Sequence, residues 1–328
     1  MRYKILTILF FNVVLTVGAQ ASKNRSADAL HAILKPHFIP FQDEKVSEIT
    51  RRKQNLGKEL FYDKKLSFSK QYSCNSCHDL LNYGSNGSCF LSELEKGQFF
   101  RDTPSLYNIK ELMLMNSDGA FNSMEDKVTH SLFSTYEMNG VSKEKVEFQL
   151  QELHKYQKEF SELYPEENKL VPIVVDALCV FLDGLITPAP IDAFILGDMK
   201  ALTAEQVEGG HLFNDKSCYS CHTGSNFGGQ MIQKLGITEE WPNQNDLGYY
   251  HLKHQSDFKM FFRVAPLRNV SETAPYFHDR SSKKLWKAIR LMGKHERGLE
   301  ISVQEAVKIQ EFLKSLKGEI PLKYIKLN

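Results

Sequence analysis

Four cysteines and two histidines fall into two copies of one pentapeptide, Cys74-Asn75-Ser76-Cys77-His78 and Cys218-Tyr219-Ser220-Cys221-His222, spaced 144 residues apart. Two thiols three positions apart can each add across one of a porphyrin's two vinyl groups, and the imidazole of the next residue then reaches the iron from below. Each pentapeptide is therefore an attachment signature for c-type haem. Cys74, Cys77, Cys218 and Cys221 are the expected covalent anchors and His78 and His222 the proximal iron ligands, so the chain should carry two haem c groups. A redox disulfide or half of a zinc site would account for one Cys pair. Neither accounts for a histidine placed directly after both.

Matching elements precede the two motifs. Gly57-Lys58-Glu59-Leu60-Phe61 stands before the first and Gly209-Gly210-His211-Leu212-Phe213 before the second, both of the form Gly-x-x-Leu-Phe. A helix ending in that pattern, paired with a later helix, is how a cytochrome c domain clamps its cofactor. Thr203 with Gln206 predicts a capped start for the helix running into Phe213. Ser302 with Glu305 does the same for a later helix whose apolar face is Ala306, Ile309, Phe312, Leu313 and Leu316, with Gly318 as its stop. No window alternates strongly enough to predict a long strand, and the Gly, Asn and Pro clusters at 82–88, 224–229 and 241–248 read as loops. The expected fold is mainly α, with two cytochrome c-like haem domains in tandem and long loops. Residues 22–187 form the N-terminal domain and 191–328 the C-terminal one, joined at Thr187-Pro188-Ala189-Pro190, where two prolines make a stiff connector.

Residues 1–21 read as a cleaved signal peptide: Arg2 and Lys4, the apolar run Ile5 to Val17, then Gly18-Ala19-Gln20-Ala21. The run is too short for a retained membrane anchor, and export to the periplasm suits haem attachment. The formal charge is +1 for the whole chain and −1 once Arg2 and Lys4 are removed, which offers nothing to nucleic acid. Cys179, in the apolar run Ile173 to Leu182, is read as a packing residue, while Cys89 is either free or paired with it.

Further blocks carry a family likeness. In the C-terminal half these are Phe262-Arg263-Val264-Ala265-Pro266-Leu267-Arg268-Asn269, Thr273-Ala274-Pro275-Tyr276-Phe277-His278-Asp279 and Leu291-Met292-Gly293. In the N-terminal half they are Leu56-Gly57-x-x-Leu60-Phe61, Arg101-Asp102-x-Pro104-Ser105-Leu106-x-Asn108, Asp118-Gly119 and Glu137-Met138. Through them the chain resembles the bacterial di-haem cytochrome c peroxidase family, which also includes the enzyme that matures methylamine dehydrogenase, from about Leu56 to Pro321.

The resemblance implies a division of labour. The C-terminal haem would be six-coordinate, with Met292 opposite His222, and would deliver electrons, since a thioether ligand favours ferrous iron. The N-terminal haem would open its sixth position to peroxide, with Glu137 as the acid/base that moves a proton between the two peroxide oxygens. Lys127 stands at a family glutamine, where it would supply a proton, favour anions or face solvent. The segment from Asp79 to Phe100 holds no histidine to block the first haem, implying a five-coordinate resting iron that needs no reductive activation. Ser117 replaces a family tryptophan. The family's interdomain calcium would fall to Asp102 and the carbonyls of Thr273 and Pro275, the alternative being an ion pair of Asp102 with Arg101 or another arginine near a haem. His278 is read as a hydrogen-bonding residue near a propionate.

The implied activity is reduction of hydrogen peroxide to water with electrons from a small redox protein, a cytochrome c or a copper protein. A peroxide-driven oxidase of a protein side chain is the second reading, although the maturation enzyme has Tyr where Met292 stands. A pure electron carrier, with both irons six-coordinate, is the third. Family members often form dimers, and no interface signal for a homodimer is legible in this chain.

Overall fold

The computed structural model describes residues 25–42, 45–85, 101–138 and 142–325, so the signal segment and Cys89 lie outside the described residues. The helices that position the sites are α1 (Ala27–Leu34), α2 (Glu48–Tyr62), α3 (Met124–Phe133), α4 (Leu170–Asp183), α5 (Ala204–Asp215), α6 (Leu285–Arg297) and α7 (Val303–Lys314). The described sheet is one short antiparallel pair, β1 (Ile232–Lys234) and β2 (Phe261–Arg263), with Gln233 opposite Phe262. The mainly helical expectation holds.

The Gly-x-x-Leu-Phe repeat has a packing cause. A Cβ added to Gly57 on α2 would lie 1.9 Å from the Ala177 carbonyl oxygen of α4, and one added to Gly209 on α5 would lie 1.9 Å from the Lys308 carbonyl oxygen of α7. Only a residue without a side chain lets two helix backbones approach this closely. One turn farther along each pair, Phe61 meets Phe181 and Phe213 meets Phe312, both with ring centroids 5.3 Å apart. Phe61, Phe181 and Phe312 are fully buried, each contributing on the order of 1.5–3 kcal/mol of transfer free energy. The same crossing thus occurs twice, immediately before each Cys-x-x-Cys-His.

Both capping boxes form as expected: Thr203 Oγ1 accepts from the Gln206 N–H at 3.2 Å and Gln206 Oε1 from the Thr203 N–H at 3.0 Å, with Ser302 and Glu305 repeating the exchange. Gly318 is a correction. Helix α7 ends at Lys314, before that glycine, and Gly318 is required because a Cβ there would lie 2.4 Å from the Thr187 carbonyl oxygen.

The connector is stitched to both halves. Thr187 is fully buried; its Oγ1 accepts from Asn108 Nδ2 at 2.9 Å and from Asn269 Nδ2 at 3.0 Å, and its N–H donates to Asn108 Oδ1 at 2.8 Å. Both asparagines adopt the left-handed conformation, with φ of 64° and 60°. Beyond the connector, Arg268 clasps buried Asp192 through two charge-assisted hydrogen bonds, of 2.8 and 2.5 Å.

Chain order and packing differ at the ends. Leu30 and Leu34 of α1, with Phe38, belong to the second core together with Ile191, Phe213 and Phe312, and the Phe38 ring stacks on Phe227 at 3.8 Å. Conversely, Tyr324 and Ile325 belong to the first core, where Tyr324 meets Phe181 edge-on at 5.7 Å. Cys179 is buried on α4, as expected of a packing residue.

Candidate haem-binding sites

Cys74 and Cys77 occupy a single helical turn, Cys74–Cys77, whose N-terminus is closed by Ser76 Oγ accepting from the Ser73 N–H at 3.0 Å. His78 follows, its Nδ1 lying 3.0 Å from the Pro104 carbonyl oxygen and 3.2 Å from that of Gly84. Carbonyl oxygens only accept, so Nδ1 carries the hydrogen and the Nε2 lone pair is left for a metal. Burial drives the His78 pKa down to about 4, against the opposing pull of the Gly84 carbonyl, which keeps the ring neutral as an iron ligand must be.

The second motif repeats the device. His222 Nδ1 lies 3.1 Å from the Ala265 carbonyl oxygen and 3.2 Å from that of Phe227, and burial lowers its pKa. Pro104 and Ala265 each stand four residues before the asparagine that binds Thr187. Thus the loop that orients each histidine is anchored to the connector.

Burial pushes the thiols of Cys74 and Cys218 up to about 12. A redox-active pair needs the opposite, a thiolate held at neutral pH. Among the described residues no cluster of three or more His, Cys, Asp or Glu side chains could hold a metal ion, so those residues build no zinc site around either Cys pair. Haem c fits better on a separate observation. Arg263 Nε and Nη1 are buried without a hydrogen-bond partner, and burial lowers the guanidinium pKa to about 10 despite Asp118 nearby. A buried cation in this state calls for an anion, and haem carries two propionate carboxylates.

His278 also suits that setting. Its ring stacks on Phe262 at 4.4 Å and faces Trp241 at 6.2 Å, and neither nitrogen makes a full hydrogen bond, the Asn243 backbone being a weak polar neighbour.

Glu137 lies in the turn after α3, and Lys127 Nζ of that helix donates to both its oxygens, at 2.7 and 3.0 Å. The solvent-facing reading of Lys127 is thereby removed, since its side chain is only 20% exposed. Burial pushes the Glu137 carboxyl up, but the Lys127 charge and hydrogen bonds, with help from Ser131 and His130, outweigh it and hold the group below the usual carboxylate range. Glu137 lies near enough for its charge to act on Cys74, Cys77 and His78. The structure therefore brings the first motif, Glu137 and Lys127 together.

Met292 sits half-buried on α6, between Leu291, which packs on the Trp241 cluster, and Gly293, against Ile301. The described contacts do not join its sulfur to His222. Helix α6 does approach the second motif, where the Arg297 charge acts on Cys218.

At the expected calcium position, Asp102 Oδ1 is buried and faces Arg280 Nε at 3.1 Å. Arg101 is engaged elsewhere: its guanidinium holds Asp118 at 2.6 Å and, by two bonds of 2.7 and 2.8 Å, Asp246 in the other half. Calcium takes six to eight oxygens. A single carboxylate already facing a guanidinium fits the ion-pair alternative better, and Thr273 and Pro275 add only backbone oxygens. Addition of EGTA is therefore expected to leave the melting temperature within about 1 °C, because 1 kcal/mol would shift it by about 1–2 °C in a chain of this length. A larger drop in a calorimetric scan would establish the ion.

Sequence reasoning missed Arg263, Arg280, Asp246 and the paired asparagines. Arg263 lay within a block that carries the family likeness, and the asparagines left a signal of their own, the repeated Leu106-Tyr107-Asn108 and Leu267-Arg268-Asn269, each followed by a β-branched residue.

A family model described as di-haem cytochrome c peroxidase matches residues 51–200. The cytochrome c551 peroxidase of Pseudomonas aeruginosa is 32% identical over 315 residues, covering 90% of this chain and 88% of that protein. The cytochrome c551 peroxidase of Nitrosomonas europaea is 29% identical over 268 residues, covering 81% and 80%. In fold, the chain matches a MauG-like protein associated with microbial copper homeostasis with a TM-score of 0.70 at 22% identity, over 86% of this chain and 93% of that one.

Proposed function

We propose that this chain, which belongs to the di-haem cytochrome c peroxidase family, reduces hydrogen peroxide to water in the periplasm with electrons from a small redox protein, a cytochrome c or a copper protein. The observation that carries this reading is the asymmetry between the two motifs. The first has an ionised, partly buried carboxylate within electrostatic reach, whereas the helix approaching the second carries Met292. When bound, the haems supply the redox iron that accepts peroxide and passes electrons. The chain's own residues do the rest. His78 and His222 are held neutral and oriented by backbone carbonyls; Glu137 takes a proton from the near peroxide oxygen and returns it to the far one, so that water can leave. In balance, one peroxide, two electrons and two protons give two waters.

Spectra of the ferric protein, followed by peroxide with and without a reduced cytochrome or copper protein, test the whole reading. A high-spin haem and oxidation of the donor are expected. Two low-spin haems inert to peroxide would instead make the chain an electron carrier. The role of Met292 as the second iron's thioether ligand is tested separately: Met292→Ala should abolish the near-infrared thioether-to-iron charge-transfer band, and a surviving band excludes the assignment.

A further inference from the structure

Lys127, His130 and Ser131 are one helical turn apart and share a face of α3, the face turned to Glu137. Lys127 Nζ holds both oxygens of the carboxylate, while His130 Nδ1 stands 3.8 Å from Oε1 with its own side chain 53% exposed. The Phe121 ring backs both bases, its centroid 5.6 Å from Lys127 Nζ and 5.0 Å from the His130 ring. The Glu137 charge also acts on Cys74, Cys77 and His78, whose burial keeps them neutral and so supplies no counter-charge. Lys127 is thus the fixed cation of this cluster.

Resting on the reading of Glu137 as the acid/base group, we propose that Lys127 is a positioning residue that fixes the carboxylate's rotation and compensates its charge before proton transfer and the charge of the deprotonated substrate after it. Before transfer the pair Lys127⁺/Glu137⁻ is neutral. Once Glu137 has taken the proton, the ammonium is left to balance the negative charge that the substrate has acquired. A neutral side chain at this position could hold the carboxylate by a hydrogen bond but could offset neither charge, and the partly buried setting makes each uncompensated charge expensive. The same cation keeps Glu137 ionised, and so able to accept a proton, to lower pH.

The test uses the haem-loaded protein carrying Lys127→Gln or Lys127→Arg. For Lys127→Gln the acid limb of the kcat/KM profile for peroxide should move to higher pH by about 1–3 units, the usual effect of losing an opposite charge at this range. Cyanide affinity of the ferric protein at neutral pH should fall roughly tenfold or more. Lys127→Arg should restore both. An unmoved limb with unchanged cyanide affinity in a normally melting Lys127→Gln protein, or failure of arginine to rescue, overturns the proposal. Should Lys127→Gln not fold, cyanide affinity is compared between Glu137→Gln and the double variant Glu137→Gln/Lys127→Gln: weaker binding by the double variant supports the proposal, and equal binding overturns it. Full turnover in Glu137→Gln would sink the acid/base reading instead, leaving cyanide binding to judge Lys127.

Discussion

Glu137→Gln is expected to lower peroxide turnover by about 10²–10⁴-fold, the usual contribution of a general acid–base group, while cyanide still binds the ferric protein. Glutamine preserves the volume of the side chain and one carbonyl oxygen for Lys127 Nζ, so the turn after α3 should keep its shape. What it removes is the capacity to take up and return a proton. The substitution also leaves the Lys127 ammonium without its counter-charge, so anion binding should hold or tighten. Turnover within about threefold of the unmodified protein would remove Glu137 from the chemistry, since so small a change lies far below what such a group supplies.

The largest effect on stability should come from the clasp next to the connector. Arg268 is buried with Asp192, its Nε donates to the Ser225 carbonyl oxygen, and its guanidinium carbon lies 3.9 Å from the centre of the Phe41 ring. Asp192 in turn accepts from the Phe41 and Ala189 N–H groups, both at 2.7 Å. Arg268→Met fills similar volume but leaves the carboxylate buried with only those two donors. The expected loss is about 3–5 kcal/mol, because breaking one side of a buried pair strands the other charge. Urea unfolding monitored by circular dichroism measures it, and a loss below about 1 kcal/mol would show that the site admits water.

What could be read from the sequence was whatever is encoded locally. The two haem pentapeptides, the two capping boxes and the repeated Gly-x-x-Leu-Phe each occupy a handful of neighbouring residues, and the chain forms the helices that the capping boxes and the Gly-x-x-Leu-Phe repeat predict. Gly318 shows where local reading fails. A glycine just past the last periodic residue looks like a helix stop, yet its cause is the Thr187 backbone, far away in sequence. The same limit hid Arg101 with Asp246 and Asp102 with Arg280, since charges spread along a chain give no hint of which pairs the fold will bury together. Lys127 and Glu137 are only ten residues apart, but a turn follows α3, so helical spacing does not predict their contact.

The crossed packing of the ends has a consequence for how the molecule can be made and divided. A chain severed at the prolines would leave one fragment carrying a wedge, Leu30, Leu34 and Phe38, with no hole to enter, and the other carrying Tyr324 and Ile325 in the same predicament. Neither piece would be self-sufficient. Both hydrophobic cores are completed only when residues from the two ends of the described chain are present together.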